Sequence, residues 1–106
     1  MAMHHRTPIA LAPLLLLLPA GAPAVRAASE RDTALVTIAD ANARCLIQSG
    51  MMPAEKARSL VRGFLDAQQV SAKQRKAVRD DPGFSALMDR YISDQGGCKS
   101  LLRKLK

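Results

Sequence analysis

Five consecutive leucines, Leu14–Leu18, decide what the rest of this chain has to work with. They end an apolar run from Ile9 that follows a short positive start, the amino terminus and Arg6, and that gives way to Pro19, Gly21 and Pro23. Val25 and Ala27 then stand at the −3 and −1 positions of a junction between Ala27 and Ala28. This is the small-residue pattern of a cleavable secretory signal peptide. Cutting after Ala24 meets the same spacing but places Pro23 inside the recognition site, so it ranks second. A membrane anchor needs about 20 apolar residues, and this run is far shorter and carries Pro13. No twin-arginine pair precedes it, and no cysteine sits at the junction to accept a lipid. The sequence therefore reads as a signal peptide over residues 1–27 and a single domain over residues 28–106, exported to the periplasm or secreted.

A domain of roughly 80 residues buries little more than about 60% of its unfolded surface and often needs a covalent staple. Cys45 and Cys98 offer one. Export places both where disulfides persist, and a loop of 53 residues makes a bridge worth about 4 kcal/mol in the chain-entropy picture. Two lone cysteines without a partner histidine make poor zinc ligands, so the disulfide is the expected state.

Glycine and proline punctuate residues 28–106 into four or five segments, each with helical and not alternating periodicity. The first opens at Ser29 as N-cap, with Glu30 and Asp32 in the first turn. Leu35, Ile38, Asn42, Cys45, Leu46 and Ser49 share one face, and Gly50 ends it. The second starts with Pro53 at the first helical position and carries the stripe Ala57, Leu60, Val61, Phe64 and Leu65, with Gly63 inside it. Ser71 and Gln74 make a capping box for a short third helix through about Arg79, anchored by Ala72, Ala77 and Val78. Asp81-Pro82 starts a fourth, with Phe84, Leu87, Met88, Tyr91 and Ile92 as its buried face, and Gly96-Gly97 ends it. Cys98, Leu101, Leu102 and Leu105 form the last stripe. The expected fold is all-α, a small bundle of four to five short helices whose first and last members are joined by Cys45–Cys98.

Little in this pattern speaks for catalysis. His4 and His5 are the chain's histidines and both fall in the signal peptide. A mature domain without histidine has no Ser-His or Cys-His nucleophile and no histidine metal site. The cysteines are not a Cys-x-x-Cys redox pair. Asp81 is explained as a helix cap beside Asp80, and Asp89 and Asp94 lie on the outer side of the fourth helix, pairing with Arg90 or hydrated. No calcium loop or glycine-rich phosphate cradle is present. The expectation is a protein that is not an enzyme and needs no metal or cofactor.

Removing Arg6 and Arg26 with the signal lowers the formal net charge of +7 by two and leaves a basic domain. Lys73, Arg75, Lys76 and Arg79 would be its best nucleic-acid surface, but export and the lack of interleaved aromatic residues exclude that partner. Lys99, Arg103, Lys104 and Lys106 crowd the end of the chain. They form either a contact surface for phosphate, an anionic lipid surface or an acidic partner, or a solvated helix end that complements the macrodipole, the favoured reading. Membrane-surface contact through Cys98–Lys106 is the lesser option, because its leucines are needed in the core. Met51-Met52 and Tyr91 either fill a corner or line a binding surface. Asn42 is the polar residue at a core-like position, either a satisfied buried amide or an opening toward a partner or pocket. The signal peptide, helices, long-range disulfide and basic end together resemble, in architecture alone, small periplasmic acid-stress chaperones. The function expected is binding of another protein in the envelope or outside the cell. The alternative is a holdase-type chaperone or small apolar-ligand carrier whose helices part to expose their stripes.

Overall fold

The structure, a computed structural model, describes residues 30–105. The predicted signal peptide, its Ala27–Ala28 junction, the Ser29 cap and Lys106 lie outside these residues. By its internal contacts the chain divides between Arg31 and Asp32, and the helical domain is the unit that begins at Asp32. The described residues form five helices and the fold is all-α: α1 over 30–48, α2 Ala54–Ala67, α3 Ala72–Asp80, α4 Phe84–Asp94 and α5 Cys98–Lys104. None of them is long and apolar enough to cross a membrane.

Three of the helices stop by the same device. Past α1, the Gly50 N–H donates to the Ile47 carbonyl and the Met51 N–H to that of Leu46, both at 3.1 Å. Past α4, Gly96 and Gly97 donate to Ser93 and Ile92 at 2.9 Å. These paired bonds satisfy carbonyls that the helix end leaves without partners, and they need a left-handed residue that glycine adopts without strain. Past α2 the same pair of bonds runs from Gln69 to Asp66 and from Val70 to Leu65. Gln69 takes the left-handed position there, with φ 62°, so no glycine announces the end of α2 in the sequence.

The helix starts follow the sequence less closely. Ser71 and Gln74 do form the capping box: Gln74 N–H donates to Ser71 Oγ at 3.2 Å, and Ser71 N–H to Gln74 Oε1 at 2.8 Å. Pro53, expected as the first helical residue, stands one position earlier as N-cap. Its ψ of 151° is extended and its carbonyl accepts the first bond, from Ala57 at 3.0 Å. Asp81, expected to cap α4, caps no helix start. Its carboxylate accepts from Gly83 N–H at 2.7 Å and its carbonyl from Phe84 N–H at 3.0 Å. Those bonds fold residues 81–84 into a turn with Pro82 at its second position, which proline favours, and α4 begins only at Phe84.

The interior consists of two clusters that meet on α1. The larger joins Val36, Ala39 and Ala43 of α1 to Ala57, Val61 and Leu65 of α2, and adds Val70, Val78 and Phe84. The smaller joins Cys45 of α1 to Leu101 and Leu102 of α5, with Leu46, Tyr91, Ile92 and Cys98 packed beside it. The Cys45–Cys98 disulfide is formed, with its Cα atoms 5.2 Å apart. Because α1 serves both clusters, it is buried on more than one side. Thr37, buried with it, satisfies its hydroxyl by donating to the Thr33 carbonyl at 2.6 Å.

The expected stripes are corrected on this point. On α1 the core falls on Val36, Ala39, Ala41, Ala43 and Cys45. Leu35, Ile38, Asn42 and Leu46 are only half-buried, and Ser49 is exposed. Small side chains allow neighbouring helices to come close, and the larger ones sit at the margins. On α2, Ala57, Val61 and Leu65 are buried while Leu60 and Phe64 stay 52% and 40% exposed. Leu87 of α4 and Leu105, just past α5, are exposed as well.

Candidate functional site

Helix α2 lies on α1 through Ala57, Val61 and Leu65, and an open groove runs along each of its flanks. They differ in chemistry because successive turns of α2 put different residues on its two sides. Arg58 and Arg62 face one groove, and Leu60 and Phe64 face the other.

The first groove encloses about 620 Å³. Its floor is apolar, made by Ala43, Ile47, Val61 and Met88, and its rim carries Arg44, Arg58, Arg62 and Arg79 from three different helices. Two of these guanidinium groups are held by carboxylates. Arg79 grips Asp40 with both arms, Nε to Oδ2 at 2.8 Å and Nη2 to Oδ1 at 2.9 Å. The fork-on-carboxylate geometry accounts for its strength and direction. The hydrogen bond to Asp40 raises the Arg79 pKa above its ordinary value. Partial desolvation opposes this and the charge of Asp40 adds to it. Arg44 Nη1 donates to Asp89 Oδ1 at 2.6 Å, and its Nη2 rests 3.9 Å from Met88 Sδ. Arg58 and Arg62 have no acidic partner among the described residues. They stand four apart on one helix, a spacing at which like charges cost an isolated helix about 0.2–0.5 kcal/mol.

The second groove is smaller, about 260 Å³, and almost wholly apolar. Ile38, Ala39 and Leu46 of α1 form one wall, and Leu60, Phe64 and Leu105 line the other side. Asn42 is its polar element: its Oδ1 is buried and meets no hydrogen-bond donor among the described residues. Of the two roles expected for Asn42, satisfied amide or pocket residue, the structure places it in the pocket. An unmet buried acceptor costs about 1–3 kcal/mol, so this oxygen adds nothing to stability.

The basic residues singled out in the sequence are not gathered into a site. Lys99 and Arg103 lie one turn apart on the exposed side of α5, whereas Lys104 turns to Gln95, donating to its Oε1 at 3.0 Å. Of the α3 cluster, Arg75 pairs with Asp66 and donates to the Val70 carbonyl at 2.8 Å. Lys76 reaches Asp80 at 2.6 Å and Arg79 holds Asp40. These side chains are spent on internal contacts. Asp89 likewise pairs across the bundle with Arg44, not with its neighbour Arg90. Met51 is exposed, while Met52 packs on the larger cluster. The arginine rim was missed from sequence because its members are scattered from residue 44 to residue 79. The one local signal was the pair Arg58 and Arg62 beside the apolar stripe of α2.

Among the described residues no three histidine, cysteine, aspartate or glutamate side chains gather as a metal site. Comparison with known proteins finds no matching family model, no matching curated protein and no matching solved structure.

Proposed function

We propose that this is an exported, non-enzymatic binding protein that engages another protein along the apolar flank of α2. The observation that carries this reading is the exposure of Leu60, Phe64 and Leu105, 52%, 40% and 48%, around one apolar groove. Large apolar side chains scattered singly on a surface need no explanation, but a contiguous set over a concave floor is the usual core of an interface. Phe64 is the anchor expected to matter most, since buried aromatic residues dominate such contacts. The disulfide supports export, because such bonds persist in oxidising compartments. It also suits a small rigid scaffold that presents a preformed surface.

The test is site-specific photo-crosslinking from position 64 in the envelope of the native host, with position 73 on exposed α3 as control. One discrete adduct from position 64, absent from position 73 and lost when Leu60 is replaced by glutamate, is the expected result. A smear of adducts from both positions would favour the holdase alternative. That alternative further requires binding of a hydrophobic dye and suppression of aggregation of unrelated proteins. No adduct at all would remove the protein-binding reading.

A further inference from the structure

The apolar flank leaves the other groove without a role, and its chemistry points to a different kind of ligand. We infer that the groove rimmed by Arg44, Arg58, Arg62 and Arg79 is a binding site for an amphiphilic anion: an acyl chain or similar apolar body bearing a carboxylate or phosphate head. Three features converge on this. The volume, about 620 Å³, lies within the roughly 300–1,000 Å³ of clefts that hold small ligands. The floor of Ala43, Ile47, Val61 and Met88 offers nothing to a hydrated ion but suits a hydrocarbon body, and methionine adapts to its shape. The rim offers planar guanidinium forks matched to oxyanions. Asp40 and Asp89 fix two of these forks in place, while Arg58 and Arg62 keep their donors unspent among the described residues. The rim is thus oriented by its paired arginines and left with uncompensated positive charge by its unpaired ones.

A bare phosphate would find charge but leave the floor wet, and an uncharged hydrocarbon would leave two arginines unanswered. Only a ligand with both parts satisfies the whole groove. Affinity is expected to follow the ionisation of the ligand's head group. Leu60, Phe64 and Leu105 do not line this groove, although Ala43 and Val61 border both, so variants at Arg58 and Arg62 test it separately from the protein-binding flank.

The experiment is an NMR titration of the protein purified from its host with the disulfide intact, using dodecanoate and dodecyl phosphate below their micelle concentrations. Dodecyltrimethylammonium and inorganic phosphate are the controls. The expected result is saturable one-to-one binding of at least one anionic amphiphile, with shifts at Ile47 and Met88, which line this groove and not the apolar one. The cationic amphiphile should not bind there, and inorganic phosphate should bind at least about tenfold more weakly. The double variant Arg58→Gln, Arg62→Gln changes two exposed side chains and relieves their like-charge repulsion, so its melting temperature should not fall while affinity falls at least about tenfold, the loss of roughly one charge-assisted hydrogen bond. Whichever head group binds more tightly identifies the natural head. Equal binding of the cationic amphiphile, undiminished binding by the double variant, or shifts confined to Leu60, Phe64 and Leu105 would each overturn the inference. So would binding of a glutamate-rich helical peptide in the groove with neither amphiphile bound.

Discussion

At the scale of single residues, this domain keeps several side chains where stability alone would not put them. Gln69 holds a left-handed backbone at φ 62° so that α2 can end and Val70 can fold back onto Leu65. Glycine meets that φ without the Cβ clash. Gln69→Gly is therefore expected to stabilise the domain by about 0.5–1 kcal/mol after allowing for the added freedom of the unfolded chain. In thermal unfolding this reads as a rise of several degrees, since about 4–8 °C accompany each kcal/mol in domains of this size. Gly97 is the opposite case. Its φ of 93° and ψ of 171° belong to glycine almost alone, and no atom lies near enough to crowd an added Cβ. The cost of Gly97→Ala, expected at about 1–3 kcal/mol by urea unfolding, is then a backbone cost and not a packing one. Asn42→Ala removes an acceptor that has no donor among the described residues and places a better helix former in α1. It should leave stability unchanged or raise it by up to about 1 kcal/mol in the same assay, while any ligand of the apolar groove that hydrogen-bonds the amide loses affinity.

At the scale of helices, the long-range ion pairs set the placement of α3 and α4 against α1. The Asp40–Arg79 bridge is the better formed, bidentate and partly shielded. Arg79→Gln should cost about 1 kcal/mol, the value of a charge-assisted bond discounted for an arginine that is more than a third exposed. Both Arg79 and Lys76 have pKa values raised by their carboxylate partners, each mainly through the hydrogen bond. A cation whose folded pKa is raised contributes fully below its unfolded value and loses that contribution as pH rises through the folded one. For Arg79, whose pKa is raised from an already very high value, that window lies above the range in which the protein can be studied. The stability gap between the parent and Arg79→Gln, followed by urea midpoints, should accordingly stay constant from neutral pH to about pH 11. For Lys76 the gap to Lys76→Gln holds below its ordinary value of 10.5 and closes above it.

The helices themselves were legible in the sequence because their punctuation is local: the Ser71–Gln74 box, Gly50, and the Gly96-Gly97 pair each act within a few residues. What was not legible is rotational. The core face of α1 is built from alanines, whose pattern carries less contrast than the leucines at its margins, and the α2 stripe is wider than the surface α1 can cover. The excess became Leu60 and Phe64, the exposed edge of a groove. Arg44 and Arg79 meet at the other groove only through contacts that span about half the domain, which no local periodicity encodes.

At the scale of the whole molecule, the two clusters imply two levels of stability. The larger cluster draws on α1, α2, Val70, α3 and α4, and Arg75–Asp66 and Arg79–Asp40 reinforce it. Helix α5 buries only Leu101 and Leu102, in the smaller cluster with Cys45, Leu46, Tyr91 and Ile92, and so short a helix is not stable by itself. The disulfide is what holds it in place. Reduction removes about 4 kcal/mol by the loop-entropy estimate, an amount comparable to the whole stability of a small domain. The loss is expected to fall unevenly, because the bridge ties α5 to α1 and α5 has little burial of its own. The expected outcome of hydrogen exchange under reducing conditions is that amides of residues 101–105 lose their protection while those of Val61 and Leu65 keep a substantial part of theirs. Uniform loss across both clusters would mean that they unfold as one cooperative unit. Release of α5 also takes Leu105 from the apolar groove and uncovers Leu46 and Tyr91. Photo-crosslinking from position 64 should then weaken on reduction, whereas anion binding in the arginine groove, which uses no residue of α5, should persist. The staple therefore controls one flank of α2 and leaves the other intact, and measuring both sites before and after reduction separates their dependence on it.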